Sequence, residues 1–153
     1  MASFLLISTL LTIAGLIATM IAGFMSTPFH AAQHILFALG TVVIGLFSQS
    51  MTMFFFIGTG KQLKDKTGGT EQEAEVKAAT RRFSMVVSPA ATFAMAVLMV
   101  TFIMGGGVSS GKTPVWLHDV LAFASLLMYA RAYWIEVRLM DENARLMERF
   151  LAE

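Results

Sequence analysis

Residues 83–104 read FSMVVSPAATFAMAVLMVTFIM, a run with no charged side chain. At about 1.5 Å per residue a helix over this stretch spans about 33 Å, enough for a bilayer hydrocarbon core of about 30 Å. A helix that is apolar on every face is not the surface helix of a water-soluble domain, so the stretch reads as a transmembrane span.

Working outward, three further stretches have the same length and character: 3–25, 29–57 and 115–134. No Lys or Arg precedes the first, and it exceeds the apolar core of about 7–15 residues found in a signal peptide, so it reads as a true span. The expectation is an all-α integral membrane protein, one domain over 1–153. Its four transmembrane helices form two hairpins in an up-down-up-down bundle, and helices 3 and 4 extend into the cytoplasm. Composition agrees. The 153 residues are 56% hydrophobic and only 14% charged, against about 25% charged in a soluble domain.

Turn signals bound the spans. Ser26-Thr27-Pro28 and Thr113-Pro114 each place a capping Thr before a Pro suited to the first helical position. Gly58-Thr59-Gly60 and Gly105-Gly106-Gly107 are expected to end the second and third spans. The repeated Thr-Pro suggests two related hairpins, although Thr-Pro is also simply a good helix start. Thr70 and Glu73 have capping-box spacing, so a cytoplasmic helix should run from there into the third span, with a kink at Pro89. The fourth helix has no breaker before Phe150. Its tail, 135–153, should carry Leu139, Asn143, Leu146 and Phe150 on one face, either as a solvated extension or as a docking face for another subunit, with Asp141–Arg145 as an i,i+4 pair.

Basic residues set the direction. Lys61, Lys64, Lys66, Lys77, Arg81 and Arg82 join spans two and three, Arg131, Arg138, Arg145 and Arg149 follow span four, and only Lys112 lies at the other side. The positive-inside rule then puts 58–82 and both termini in the cytoplasm.

Several function classes fall away. A net charge of +1 offers no basic field for nucleic acid. The absence of cysteine removes disulfides, thiolate zinc sites, iron–sulfur clusters and covalent haem attachment. Gly106–Thr113 satisfies G-x-x-x-x-G-K-[ST] letter by letter, yet it follows a membrane helix and precedes Pro114. A phosphate loop instead needs a strand before it and a helix after it, so no nucleotide is expected. There is no Ser/His/Asp triad, and catalysis by the chain alone is not expected.

The chemistry-bearing cluster is His30, His34 and His118, all within two turns of an outward-starting helix. His30 and His34 are i,i+4 neighbours. With Asp119 they suit a transition metal (Cu, Fe or Zn), Met25 and Met104 offering soft thioethers nearby. In a second reading His34 and His118 are axial ligands of haem b, and Ala38, Gly40, Gly45, Ala122 and Ala124 give the macrocycle room. Such a site would serve electron transfer or metal binding within a larger complex. The expected partners are lipid and other membrane subunits or further copies. Two alternatives use other residues: a cofactor-free structural subunit, or an oligomeric channel lined by Ser48, Gln49 and Thr52. Gln49 is expected to hydrogen-bond between helices, while Arg131, Tyr129, Tyr133 and Trp134 read as an interfacial belt.

Overall fold

The apolar runs continue through every weak breaker between them, and the result is four long helices: α1 (Ala2–Phe24), α2 (Ala31–Thr67), α3 (Glu73–Ser109) and α4 (Val115–Leu151). The computed structural model describes residues 1–25 and 31–151, Leu151 by its backbone alone. Thr27 and Pro28 lie outside the described residues. All four helices are long and apolar enough to cross a membrane.

The glycines do not stop helices as expected. α2 runs through Gly58-Thr59-Gly60 to Thr67 because the bare Gly60 backbone packs on Thr80 of α3: a Cβ there would meet the Thr80 side chain at 3.5 Å. α3 likewise continues through Gly105–Gly107. At Gly107 a Cβ would lie 2.1 Å from Thr113 Oγ1, so only glycine fits under the turn. α3 also passes Pro89 without ending.

The turn between α2 and α3 is built differently from a capping box. Gln72, not Thr70, precedes the helix, and it makes no side-chain cap. Thr70 donates back to the Thr67 carbonyl, and the Glu73 carboxylate accepts from Gly69 N–H at 2.8 Å. Gly69 turns the chain at φ +77°. The Lys77 ammonium and the Gly69 N–H hold the Glu73 carboxyl below the usual carboxylate range.

Consecutive helices pack antiparallel, α1 closes against α4, and α2 meets α4 across the middle. Contacts stack in layers along the axis. Leu16, Val42, Ala94, Leu98, Tyr129 and Ala132 form one apolar layer. Leu5, Phe56, Phe83, Val87, Leu139 and Met140 form the next, toward the termini. Beyond the start of α1 only three helices remain, and Leu63, Val76 and Phe150 fill their centre. Outward faces carry Phe4, Phe37, Phe54, Phe93, Ile103 and Leu127, the arrangement a lipid-facing surface requires.

The tail of α4 is therefore neither solvated nor a free docking face. Leu139, Asn143 and Phe150 are buried against α2 and α3, Thr59 reaches Asn143 Oδ1 at 3.3 Å, and Arg149–Glu75 (2.7 Å) and Arg82–Glu142 tie α3 to α4. The Asp141–Arg145 pair forms at 2.9 Å. Tyr129 is no belt residue: it is fully buried in the bundle centre. Trp134, by contrast, is exposed and carries the Arg138 guanidinium 4.4 Å over its ring.

Candidate functional site

α2 and α4 are the diagonal pair of the bundle, so side chains on their inward faces meet across its axis. At the end bearing the α3–α4 turn these side chains are His34 and His118. Their ring centroids lie 6.4 Å apart with planes at 88°. Both rings line a cavity of about 850 Å³ whose walls are mostly apolar, with Thr19, Thr41, Thr101, Ser109 and Asp119 among them.

The other two helices shape the pocket by what they lack. A Cβ on Gly23 of α1 would lie 3.1 Å from His34 Cε1, and one on Gly105 of α3 would lie 3.0 Å from His118 Cε1. Each imidazole edge thus rests in a notch that only glycine leaves open. His118 Nδ1 is 3.1 Å from the Thr101 carbonyl oxygen. A carbonyl can only accept, so Nδ1 carries the proton and Nε2 keeps its lone pair. The Thr19 backbone is the corresponding neighbour of His34 and lies on the hydrogen-bonding side of its ring, but the contact is looser, since His34 Nδ1 meets no acceptor at strict hydrogen-bond geometry.

These contacts repeat a pattern. Thr19 precedes Gly23 by four residues, as Thr101 precedes Gly105; His34 precedes Thr41 by seven, as His118 precedes Ser125. Thr19 and Thr41 hydroxyls lie 3.4 Å apart, and Thr101 and Ser125 hydroxyls 2.8 Å. The two hairpins place the same groups around the site.

The remaining expected residues divide. His30 lies outside the described residues. Asp119 lines the same cavity as the two histidines, and among the described residues no three His, Asp or Glu side chains converge as a metal cluster. Met25 is exposed, and neither it nor Met104 lines the cavity, so the thioether argument for copper has no support. Of the five small residues, Ala38 and Ala122 line the cavity. Gly45 instead packs against Thr12, Leu98 and Tyr129 below it, and Gly40 has open space beside it.

The Gly106–Thr113 loop spends its amides internally. The N–H groups of Ser110, Gly111, Lys112 and Thr113 donate to the carbonyls of Gly106, Val108, Gly107 and Gly107, so they terminate α3 and cannot cradle phosphate. Ser48, Gln49 and Thr52 are fully buried inside the chain's own bundle, away from any surface that neighbouring copies could share. Gln49 does bond between helices, to Glu136 at 2.7 Å and Thr9 at 3.4 Å.

The residues that sequence reasoning missed are Gly23, Gly105, the Thr101 carbonyl and Glu136. The first three carry a signal, the Thr-x-x-x-Gly spacing in both odd-numbered helices. Comparison of the chain with protein-family models, with curated proteins and with solved structures yields no match. The functional reading therefore rests on the site itself.

Proposed function

We propose that the chain is a membrane cytochrome-type subunit in which His34 and His118 hold one haem b, serving electron transfer within a larger membrane assembly. One observation carries this reading: the spacing of the two rings. A metal about 2 Å from a ring nitrogen is about 3.2 Å from the ring centre, so two imidazoles on opposite sides of one ion sit about 6.4 Å apart. Two imidazoles at a tetrahedral angle would sit about 5 Å apart by the same arithmetic. The observed 6.4 Å matches the first arrangement, that of axial ligands, and favours haem over a tetrahedral metal centre.

Three features support the same group. The cavity of about 850 Å³ lies within the range of cofactor pockets, about 300–1,000 Å³. Its apolar walls suit a macrocycle. The Thr101 carbonyl fixes the His118 tautomer that leaves Nε2 for iron, the outer-shell device common to ligating histidines. Haem bound here would supply one-electron redox chemistry. The protein's part is to hold the two imidazoles at one end of the bundle with His118 in a fixed tautomer. Positive-inside bias places 58–82 and both termini in the cytoplasm, so the histidine end faces the opposite side of the membrane.

The test is an absorption spectrum of protein purified from haem-replete cells, recorded oxidised and reduced. A Soret band near one haem per chain, lost in His34→Ala and in His118→Ala, is expected. A metal found by elemental analysis at one per chain without a Soret band would replace haem by a transition ion at His34, His118 and Asp119. Neither in stoichiometric amount would leave a cofactor-free scaffold and defeat the proposal.

A further inference from the structure

Two layers away from the histidines the bundle encloses a carboxyl group with nothing positive beside it. Glu136 is 2% exposed. Its Oε2 accepts from Thr9 Oγ1 at 2.9 Å and its Oε1 from Gln49 Nε2 at 2.7 Å, both neutral donors. The ion pairs among the described residues are Lys77–Glu73, Arg82–Glu142, Arg145–Asp141 and Arg149–Glu75, none of which involves it. Apolar Phe4 and Ile7 of α1 are exposed farther toward the terminus than Thr9, so the carboxyl lies within the lipid-facing length of the bundle. Removing a bare carboxylate from water is costly, and neutral hydrogen bonds offset only part of that.

The surroundings supply oxygens and lack a charge. Gln49 Oε1, Thr52 Oγ1 and Tyr129 Oη are all buried without a hydrogen-bond partner, and each such atom needs a physical reason. Gln49 and Thr52 are i,i+3 on one face of α2. The Tyr129 oxygen sits against Gly45, one turn of α2 from Gln49. Among the described residues, α1, α2 and α3 bring no other titratable side chain to the buried interior around the carboxyl. The buried faces of α1, α2 and α3 carry Ser, Thr and Gln as their only polar side chains.

The repeat that makes the histidine end symmetric fails here. Counting equally from His34 and His118, Thr52 corresponds to Glu136 and Gly45 to Tyr129. The carboxyl and the phenol therefore belong to one hairpin only, and the symmetric cofactor site does not account for them.

We propose that Glu136, with Gln49, Thr52 and Tyr129, is a binding site for one small, hard monovalent cation. The charge arrives either as a proton on the carboxyl oxygen or as a sodium ion among these oxygens, the ligand type hard cations take. One positive charge taken from water neutralises one carboxylate, and no electron moves.

The full chain in detergent tests this with two measurements that do not use the histidine site. In choline buffer at about pH 7, infrared spectroscopy reads whether Glu136 is a carboxylic acid. An acid carbonyl stretch that shifts in deuterium oxide and disappears in Glu136→Gln is the proton outcome. A thermal midpoint that rises by several degrees when sodium replaces choline, and does so no longer in Glu136→Gln, is the sodium outcome. Either supports the site. Should Glu136→Gln fail to accumulate, Thr52→Val keeps the carboxyl and is expected to weaken the sodium response or to shift the pH at which the acid band is lost. A parent protein with no acid carbonyl band beyond exposed groups and a midpoint indifferent to sodium overturns the proposal.

Discussion

Gly105→Ala and Gly23→Ala add one methyl each at the two notches that seat the imidazoles. The new carbon on Gly105 would lie 3.0 Å from His118 Cε1 and 3.4 Å from Nδ1; the one on Gly23 would lie 3.1 Å from His34 Cε1 and 3.5 Å from Nδ1. Carbon atoms in contact prefer about 3.5–4.0 Å, so each ring must retreat by a few tenths of an ångström. Metal-ligand distances tolerate about 0.2 Å, so two imidazoles with centres 6.4 Å apart would hold a shared group only within a narrow range of positions. The expected cost is a loss of about 10–100-fold in cofactor affinity, the size usual for disturbing groups that position a ligating histidine. Fold stability should not fall in parallel, because alanine is favoured over glycine in a helix by about 1 kcal/mol. Gly40→Ala is the control, since nothing lies within 4 Å of its added carbon. The assay is cofactor occupancy of the purified variants, followed by titration of the emptied protein. Equal occupancy in all three variants would show that the notches do not position the rings, and the reasoning from ring spacing would fail with them.

Gly45→Ala puts a methyl 2.8 Å from Tyr129 Oη, 2.8 Å from Thr12 Cγ2 and 2.9 Å from Leu98 Cδ2. Overpacking of this kind costs about 1–3 kcal/mol, and adding Tyr129→Phe should recover part of it in a double-mutant cycle by thermal unfolding. Leu63→Ala opens the three-helix core it shares with Val76 and Phe150 and should cost about 2–5 kcal/mol without changing the elution volume, because that core is internal to one chain. The native chain has no cysteine, so a single Ser110→Cys or Gly68→Cys can be labelled cleanly. In intact cells a membrane-impermeant maleimide should reach the first and not the second, and the reverse result would invert the proposed orientation.

Hydropathy and length made the four helices legible, because apolar runs of this size have few other uses. Their ends were not legible, since Gly58-Thr59-Gly60 and Gly105–Gly107 signal termination in isolation. In the bundle Gly105 faces the His118 ring and Gly107 lies under Thr113 of the turn, while Gly58 and Gly106 have nothing within 4 Å of an added carbon. The tail misled for a related reason. Arg138, Arg145 and Arg149 imply solvent, and they are indeed outward, while Glu136, Asn143 and Phe150 on the opposite face are core. Charge density along the sequence averages two faces that packing separates. For the site, His34 and His118 were readable, but their register was not. Counting from Thr-Pro puts them two residues out of step, whereas counting from the histidines themselves aligns Thr41 with Ser125. The glycine notches could be recognised only once that register was known.

The register also bears on how the site works. The two hairpins present the same Thr, Gly and His around one axis, so His34 and His118 would hold the proposed group through equivalent surroundings. Each imidazole is then set by a glycine on the preceding helix and a threonine one turn further in. The match is looser on one side: His118 Nδ1 lies 3.1 Å from the Thr101 carbonyl, while the equivalent Thr19 backbone is beside His34 but outside strict hydrogen-bond geometry at Nδ1. A hydrogen bond from Nδ1 raises the basicity of the opposite nitrogen, so the two ligands are electronically unequal although geometrically paired. His118 should then be the stronger ligand. On that argument His34→Ala should leave more residual cofactor than His118→Ala, bound through one imidazole alone, and equal losses would mean that the unequal hydrogen bonding has no consequence for binding.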